Sequence, residues 1–251
     1  MRAPDRFLGR AGVYAAARPS YPPALGEWMS ERGLLLGPVA DIGAGTGLFT
    51  RLLLSRGAGV HAIEPNPEMR ARLEEALRPE LESGRLSVVD GTSEATGLPS
   101  ASVALITAAQ AAHWFAPEPT LREFGRILCP GGLVLLVWND WRGEDVPFNL
   151  AYGEVVRRFQ SGMPEAVSRA PSPELAQLLP GGFEHVAFGN PLTLTRERLH
   201  ALAASVSYLP SPTSPDFPAL ARALDGVFGL HQEDGTVTLH YRAHAYLGRP
   251  S

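Results

Sequence analysis

Residues Val39-Ala40-Asp41-Ile42 form a short apolar run that ends in Gly43-Ala44-Gly45-Thr46-Gly47, and Leu48 then opens a helical pattern. This strand, glycine turn and helix constrain the fold more than any other feature of the chain. Glycines at alternate positions let the backbone reverse sharply and let a ligand approach the main chain closely. The apolar face made by Leu48, Phe49, Leu52 and Leu53 predicts a helix over 48–56, ended by Gly57 and Gly59. Strand and helix patterns then alternate. Val60–Ile63, Leu86–Val89, Val103–Thr107 and Leu133–Trp138 read as strands. Pro67–Arg78 and Pro117–Leu128 read as helices, the second stopped by Pro130-Gly131-Gly132. The strands are apolar throughout, which suits a parallel sheet covered on both faces.

The flanks follow a different pattern. Residues 1–38 are a lead in which Arg18-Pro19-Ser20-Tyr21-Pro22-Pro23 is expected to break any helix. After Asn139, helices are expected at Val146–Gly162, Pro173–Leu179, Arg196–Val206 and Phe217–Phe228, and long strands at Val186–Leu194 and Thr236–Leu247. In the last of these, Val237, Leu239, Tyr241, Ala243 and Ala245 alternate with polar residues, which marks an antiparallel or half-exposed strand. The expected fold is therefore α/β. It has a doubly wound, mostly parallel seven-stranded sheet of Rossmann-like form, with an antiparallel C-terminal strand pair and a helical lid insertion. One domain over 1–251 is expected, divided into lead (1–38), cofactor-binding core (39–139), helical insertion (140–183) and C-terminal strands and helices (184–251). Phe148, Tyr152 and Val156 lie a helical turn apart on one face of the insertion, between Gly143 and Gly162. That face suits either a docking helix or a lid over a ligand.

The net charge of −4 argues against nucleic acid or an anionic membrane as the main partner. All 22 basic residues are Arg, so a lysine Schiff base and a lysine phosphate grip are excluded. Cys129 is the one cysteine, which rules out an intrachain disulfide. No apolar run approaches the ~20 residues of a membrane span, and no signal peptide is visible, so a cytoplasmic protein is expected. The histidines show no metal-ligand spacing with acids or cysteines, and no metal is expected.

The glycine turn fits two cofactor classes. A dinucleotide fingerprint G-x-G-x-x-G needs glycine at position 48, where Leu48 stands. Asp41, beside the turn, would repel a pyrophosphate but attract an ammonium group. Glu64 ends the second strand, where a carboxylate can accept hydrogen bonds from both hydroxyls of a ribose. Taken alone it equally suits a solvated carboxylate at a strand end.

Together these residues resemble the class I S-adenosylmethionine-dependent methyltransferases. The resemblance rests on Asp41 to Gly47, on Ala62-Ile63-Glu64-Pro65-Asn66-Pro67, and on Gly91-Thr92-Ser93-Glu94 with Leu98-Pro99. It extends to Ala108–Phe115 and Leu128-Cys129-Pro130-Gly131-Gly132. Tyr14 and Arg18-Pro19-Ser20-Tyr21-Pro22 resemble the lead of small-molecule methyltransferases related to trans-aconitate methyltransferase. The resemblance covers about residues 10 to 140 well. It implies S-adenosylmethionine as cofactor. Gly43, Ala44, Gly45 and Gly47 would pass its methionine part, Asp41 would hold its amino group directly or through water, and Glu64 with Pro65 would meet its ribose. Thr92, Ser93 and Glu94 would read the adenine, where many relatives carry Asp in place of Thr92. Ala109 and Gln110 would lie under ribose and sulfonium, and Tyr14 and Arg18 would belong to the same site.

Methyl transfer from a sulfonium is an in-line displacement with a neutral leaving group, so alignment and dryness matter most. A carboxylate acceptor needs no base, whereas a hydroxyl can use one. His113 is the one histidine expected beside the methyl position, as a base, a substrate-orienting group, or a residue packed behind Trp114. Trp114 and Trp138 are candidate substrate walls, against the alternative of core packing. The partner expected is a small-molecule acceptor. RNA or protein methylation, non-catalytic cofactor binding and dinucleotide-dependent oxidoreduction are the alternatives.

Overall fold

A computed structural model of the protein describes residues 19–142, 144–161, 175–206 and 208–250. Tyr14, Arg18, Gly143 and Gly162 lie outside the described residues. The described residues form two compact units. The sheet unit draws on the described residues 20–139, 175–188 and 243–250, and the helical unit on 140–142, 144–161, 189–206 and 208–242.

Seven strands form one sheet: β1 Val39–Ile42, β2 Val60–Ile63, β3 Leu86–Val89, β4 Val103–Ala109, β5 Leu128–Asp140, β6 Phe183–Leu194 and β7 Val237–Gly248. Their order is β3-β2-β1-β4-β5-β7-β6. The ladders between β1 and β2, β1 and β4, β2 and β3, and β4 and β5 are parallel, and the C-terminal strands are antiparallel. Chain order reverses direction beside β1, because β2 lies on one side of it and β4 on the other. Doubly wound sheets bind ligands at such a switch point, outside the carboxyl ends of the strands.

The sheet unit has a core on each face. Val134, Leu136 and Trp138 of β5 enter one, with Phe124 and Ile127 of helix α5 (Pro117–Ile127) and Leu175 and Leu178 of α7 (Leu175–Leu178). Leu135 and Val137 enter the other, with Phe49, Leu53 and Leu54 of α2 (Leu48–Ser55) and Leu73 of α3 (Pro67–Ala76). Short α4 spans Arg78–Glu82. The lead holds a helix that its proline cluster was expected to prevent: α1 runs Pro23–Glu31. Proline at the first helical position sacrifices an N–H that has no intrahelical partner there, so Pro23 starts the helix. Leu25 and Met29, four residues apart, then bury completely.

The strand expected at Leu133–Trp138 begins at Leu128, and Pro130-Gly131-Gly132 interrupts it without ending the element. Leu128 pairs with Val103 and Leu133 with Leu105, so the intervening residues bulge from the ladder. Gly131 takes φ +82°, which favours glycine. Cys129 donates its thiol to the Ala101 carbonyl at 3.1 Å.

The helical unit packs α6 (Pro147–Phe159), α8 (Arg196–Ser205) and α9 (Phe217–His231) around a separate apolar cluster. Phe148, Tyr152 and Val156, the face that suited either docking or a lid, are buried in this cluster with Leu199, Leu224 and Leu239. Trp141 packs edge-on to Tyr152, with ring centroids 4.9 Å apart. No described helix is long and apolar enough to cross a membrane.

Candidate active site

The glycine turn is tied to the neighbouring strand by its own backbone. The Gly43 and Ala44 amides donate to the Ile63 carbonyl at 2.8 and 3.1 Å, and the Gly45 amide donates to Glu64 Oε2 at 2.9 Å. All three glycines take positive φ, but for different neighbours. A Cβ on Gly43 would stand 2.6 Å from that of Ala111, and one on Gly47 would stand 2.9 Å from Leu73. A Cβ on Gly45 would meet nothing within 4 Å. Gly43 and Gly47 therefore serve packing, while Gly45 borders open space at the carboxyl end of β1.

Glu64 stands beside that space. Its second oxygen accepts from the Asn66 amide at 2.9 Å, and Asn66 caps α3 by accepting from the Glu68 and Met69 amides. Burial raises the Glu64 carboxyl above its ordinary value, against the Asn66 and Gly45 amides and Arg70. Arg70 donates to the Glu64 carbonyl at 2.7 Å and grips both oxygens of Asp90, which fixes the ends of β2 and β3 on α3.

Asp41 does not present a carboxylate to the open side of the turn, as was expected of a group holding an ammonium. It is 1% exposed; Thr50 of α2 donates to Oδ2 at 2.6 Å and Thr107 of β4 to Oδ1 at 2.9 Å. Burial pushes its carboxyl up to about 6 against these two hydrogen bonds, with Glu64 adding to the rise. Asp41 thus braces the turn between α2 and β4. Thr46 was not singled out from the sequence. Its hydroxyl is buried without a hydrogen-bond partner among the described residues, inside the glycine turn.

Beyond β3, the Thr92 and Ala95 amides exchange hydrogen bonds with each other's carbonyls, closing a tight turn. Thr92 is exposed and Ser93 buried. Ser93 Oγ donates to Glu94 Oε1 at 2.9 Å and accepts from Thr120 Oγ1 at 3.0 Å, so its side chain serves the loop. Burial opposes ionisation of Glu94, but hydrogen bonds from Thr92, Ser93 and the Ala116 amide outweigh it and hold its carboxyl below the ordinary value. Glu123 of α5 anchors the next stretch by accepting from both the amide and the hydroxyl of Thr96.

Gln110 follows β4 with φ +56°, a strained value for a residue with a side chain. Its Nε2 donates to the Asn139 carbonyl at 2.6 Å, joining the carboxyl ends of β4 and β5. A single helical turn, Ala112–Trp114, comes next and sets the His113 and Trp114 rings 5.0 Å apart, both half-buried. Trp138 must be corrected as a substrate wall. It is 1% exposed and packs edge-on to Tyr246 in the core, because its alternate position on β5 faces inward. The structure thus gathers Gly45, Thr46, Glu64, Thr92, Ala109 and Gln110 at the carboxyl ends of adjacent strands of the sheet unit.

Comparison with known proteins gives the family. Residues 40–136 match the methyltransferase domain family. An uncharacterized methyltransferase-like protein of Schizosaccharomyces pombe is 34% identical over 203 residues, covering 78% of this chain and 75% of the relative. The chain belongs to the class I S-adenosylmethionine-dependent methyltransferases. An uncharacterized methyltransferase of Mycobacterium tuberculosis is 38% identical over 152 residues, which span 61% of this chain and 59% of the relative. The solved structure of a candidate type II methyltransferase from Anaeromyxobacter dehalogenans shares the fold, with TM-score 0.69 and 22% identity over 93% of this chain and 98% of that one. For a methyltransferase, the open side of Gly45, the buried Thr46 hydroxyl and the Glu64 carboxylate fit the methionine and ribose parts of the cofactor.

Proposed function

We propose that this methyltransferase transfers a methyl group from S-adenosylmethionine to an oxygen of a small-molecule acceptor. The observation that carries the reading is the open face of Gly45 beside Glu64, at the switch point of the sheet. When bound, the cofactor supplies a methyl group on a cationic sulfur, a good electrophile with a neutral leaving group. The chain's own residues supply position. Glu64, already fixed by two backbone amides, accepts hydrogen bonds from ribose hydroxyls through its remaining lone pairs. Gly45 leaves room for the methionine part, Thr46 offers it a hydroxyl, and Asp41 keeps the turn rigid from behind. Thr92, Ser93 and Glu94 border the adenine, and Ala109 and Gln110 lie toward ribose and sulfur.

His113 and Trp114 stand on the turn that follows Gln110. A hydroxyl acceptor can pass its proton to the His113 imidazole; a carboxylate acceptor arrives without one. The net charge of −4 supports a small acceptor over RNA. Calorimetric titration with S-adenosylhomocysteine and with NAD tests the cofactor, the expected result being binding of the first alone. Turnover of labelled S-adenosylmethionine against a panel of organic acids and alcohols tests the acceptor. Cofactor binding with no turnover across the panel would leave a binding protein in place of an enzyme.

A further inference from the structure

Gln110 carries a hydrogen-bond acceptor that no described residue uses. It follows β4 directly, in the run Ala108-Ala109-Gln110-Ala111-Ala112, where every other side chain is a methyl group. Its φ of +56° is uncommon for a residue with a Cβ, and glycine or asparagine would adopt it with less strain. Two hydrogen bonds to β5 hold it there. The Gln110 backbone amide donates to the Val137 carbonyl at 2.9 Å, and side-chain Nε2 donates to the Asn139 carbonyl at 2.6 Å. The next residue, Ala111, lies against the glycine turn: a Cβ added to Gly43 would stand 2.6 Å from its methyl group. Gln110 is therefore fixed at the carboxyl end of β4, beside the turn and at the switch point of the sheet.

The bond to Asn139 also decides which end of the side-chain amide is which. A backbone carbonyl only accepts, so the end that meets it is the NH2 group and the other end is the carbonyl oxygen. Oε1 accepts from no group among the described residues, and the side chain is half-buried. Strained backbone persists only where its surroundings over-determine it, and it concentrates where a protein meets its ligands. Here the strain and the two bonds to β5 preset one neutral acceptor in a stretch that otherwise offers only methyl groups.

An acceptor at this place discriminates between two oxygen nucleophiles. A hydroxyl donates its proton to Oε1 and keeps its lone pairs for the methyl group. A carboxylate has no proton to donate, and its charge meets the negative end of the amide dipole. The flanking alanine side chains supply neither a donor nor a cation to offset that repulsion. A site that pairs with a hydroxyl rejects ligands that cannot make the bond, because the buried acceptor is then left unpaired.

We propose that Oε1 of Gln110 accepts a hydrogen bond from the methyl acceptor, so that the acceptor class is hydroxyl compounds and not carboxylates. The assignment rests on the methyltransferase reading above and adds the acceptor's chemistry to it. An amide oxygen orients the hydroxyl without keeping its proton. That proton passes to water, directly or through the His113 imidazole, as the hydroxyl oxygen's lone pair forms the O–CH3 bond and the electron pair of the S–CH3 bond stays on sulfur.

Benzyl alcohol, phenethyl alcohol and hexanol, each paired with the acid of the same skeleton (benzoate, phenylacetate, hexanoate), are titrated into the whole chain with and without S-adenosylhomocysteine. At least one alcohol is expected to bind, about tenfold more tightly than its acid. Gln110→Met keeps the length of the side chain and loses the amide. It should bind that alcohol about tenfold more weakly, while its affinity for the acid does not fall, a split that a merely structural change would not produce. Binding of S-adenosylhomocysteine close to that of the wild type certifies the fold of the variant. Should Gln110→Met fail to fold, Gln110→Asn decides: asparagine suits a positive φ, but its shorter side chain withdraws the oxygen, and the same loss of alcohol affinity is expected. Tighter binding of the acids, no binding of any alcohol, or equal losses for alcohol and acid in the deciding variant overturns the assignment. A loss of S-adenosylhomocysteine affinity as large as that for the alcohol would give Oε1 to the cofactor and overturn it too. Failure of the wild type to bind S-adenosylhomocysteine would instead strike the methyltransferase reading, and the alcohol titrations without it keep the two failures apart.

Discussion

The amide of Gly45 donates to Oε2 of Glu64 at 2.9 Å, across the ends of two adjacent parallel strands. This bond makes the glycine turn and the strand-end carboxylate one unit. The residue with open space beside it is also the residue that orients the acid next to that space.

Glu64→Ala should weaken S-adenosylhomocysteine binding by an order of magnitude or more, since a hydrogen bond to a charged group contributes about 1.5–3 kcal/mol. The Gly45 and Asn66 amides also lose their acceptor, so some stability should go with it. Glu64→Gln separates the two effects. Its carbonyl can accept from one amide but meets a ribose hydroxyl less well. Calorimetry on both variants checks this, and wild-type affinity in both would remove Glu64 from the site.

Gly45→Val and Gly43→Ala should diverge. At Gly45 the added side chain enters open space, so the folded-state cost is the positive φ alone, of order 1–2 kcal/mol. That corresponds to a fall in Tm of a few degrees. Cofactor binding should nonetheless be lost, because the branched side chain fills the ligand's volume. At Gly43 even a methyl group collides with Ala111, and stability should fall further than at Gly45. Differential scanning calorimetry with a binding titration distinguishes the pair. Normal cofactor affinity in Gly45→Val would make the whole turn structural.

Local features of this fold were legible in the sequence, and long-range ones were not. Strands β2 and β3 fall on the expected residues because apolar runs between glycine and helix signals are local. The helix at Pro23 departs from the expectation that a proline cluster breaks helices, because proline at a first turn is a start signal. Asp41 stood out correctly as an acid beside the turn. Its partners Thr50 and Thr107 decide which way it faces, and Thr107 lies 66 residues on. The hydrogen bond from Asn149 to the His240 carbonyl spans 91 residues and leaves no spacing pattern to read. Trp138 could not be assigned to core or ligand wall until the register of β5 fixed which face it occupies.

Trp138 provides a test of that last point. Trp138→Ala should destabilise by roughly 3–5 kcal/mol, as large buried aromatics do when truncated. Trp138→Phe should cost much less, because it keeps the packing on Tyr246 and removes a buried indole N–H that has no partner among the described residues. Acceptor KM should be unchanged in Trp138→Phe. A large rise in KM with intact stability would return Trp138 to the substrate wall.

Asp41 gives the protein a pH signature. Its carboxyl titrates at about 6 in the folded chain, against roughly 4 in an unfolded one. Between these values the native state holds a proton that the unfolded state has released. The stabilisation from this group is therefore complete below pH ~4 and is lost as pH rises through about 6. Glu64, also raised by burial, contributes in the same direction, while the lowered carboxyls of Glu94 and Glu123 oppose it. The contribution of Asp41 is thus isolated by comparison with Asp41→Asn, which keeps the shape and cannot titrate. Urea unfolding of both proteins from pH 4.5 to 8 should show the wild type losing stability relative to the variant as pH rises. The full difference should be of order 2–3 kcal/mol, levelling off above pH ~7. A constant difference across the range would mean that Asp41 is ionised throughout, and that Thr50 and Thr107 outweigh its burial.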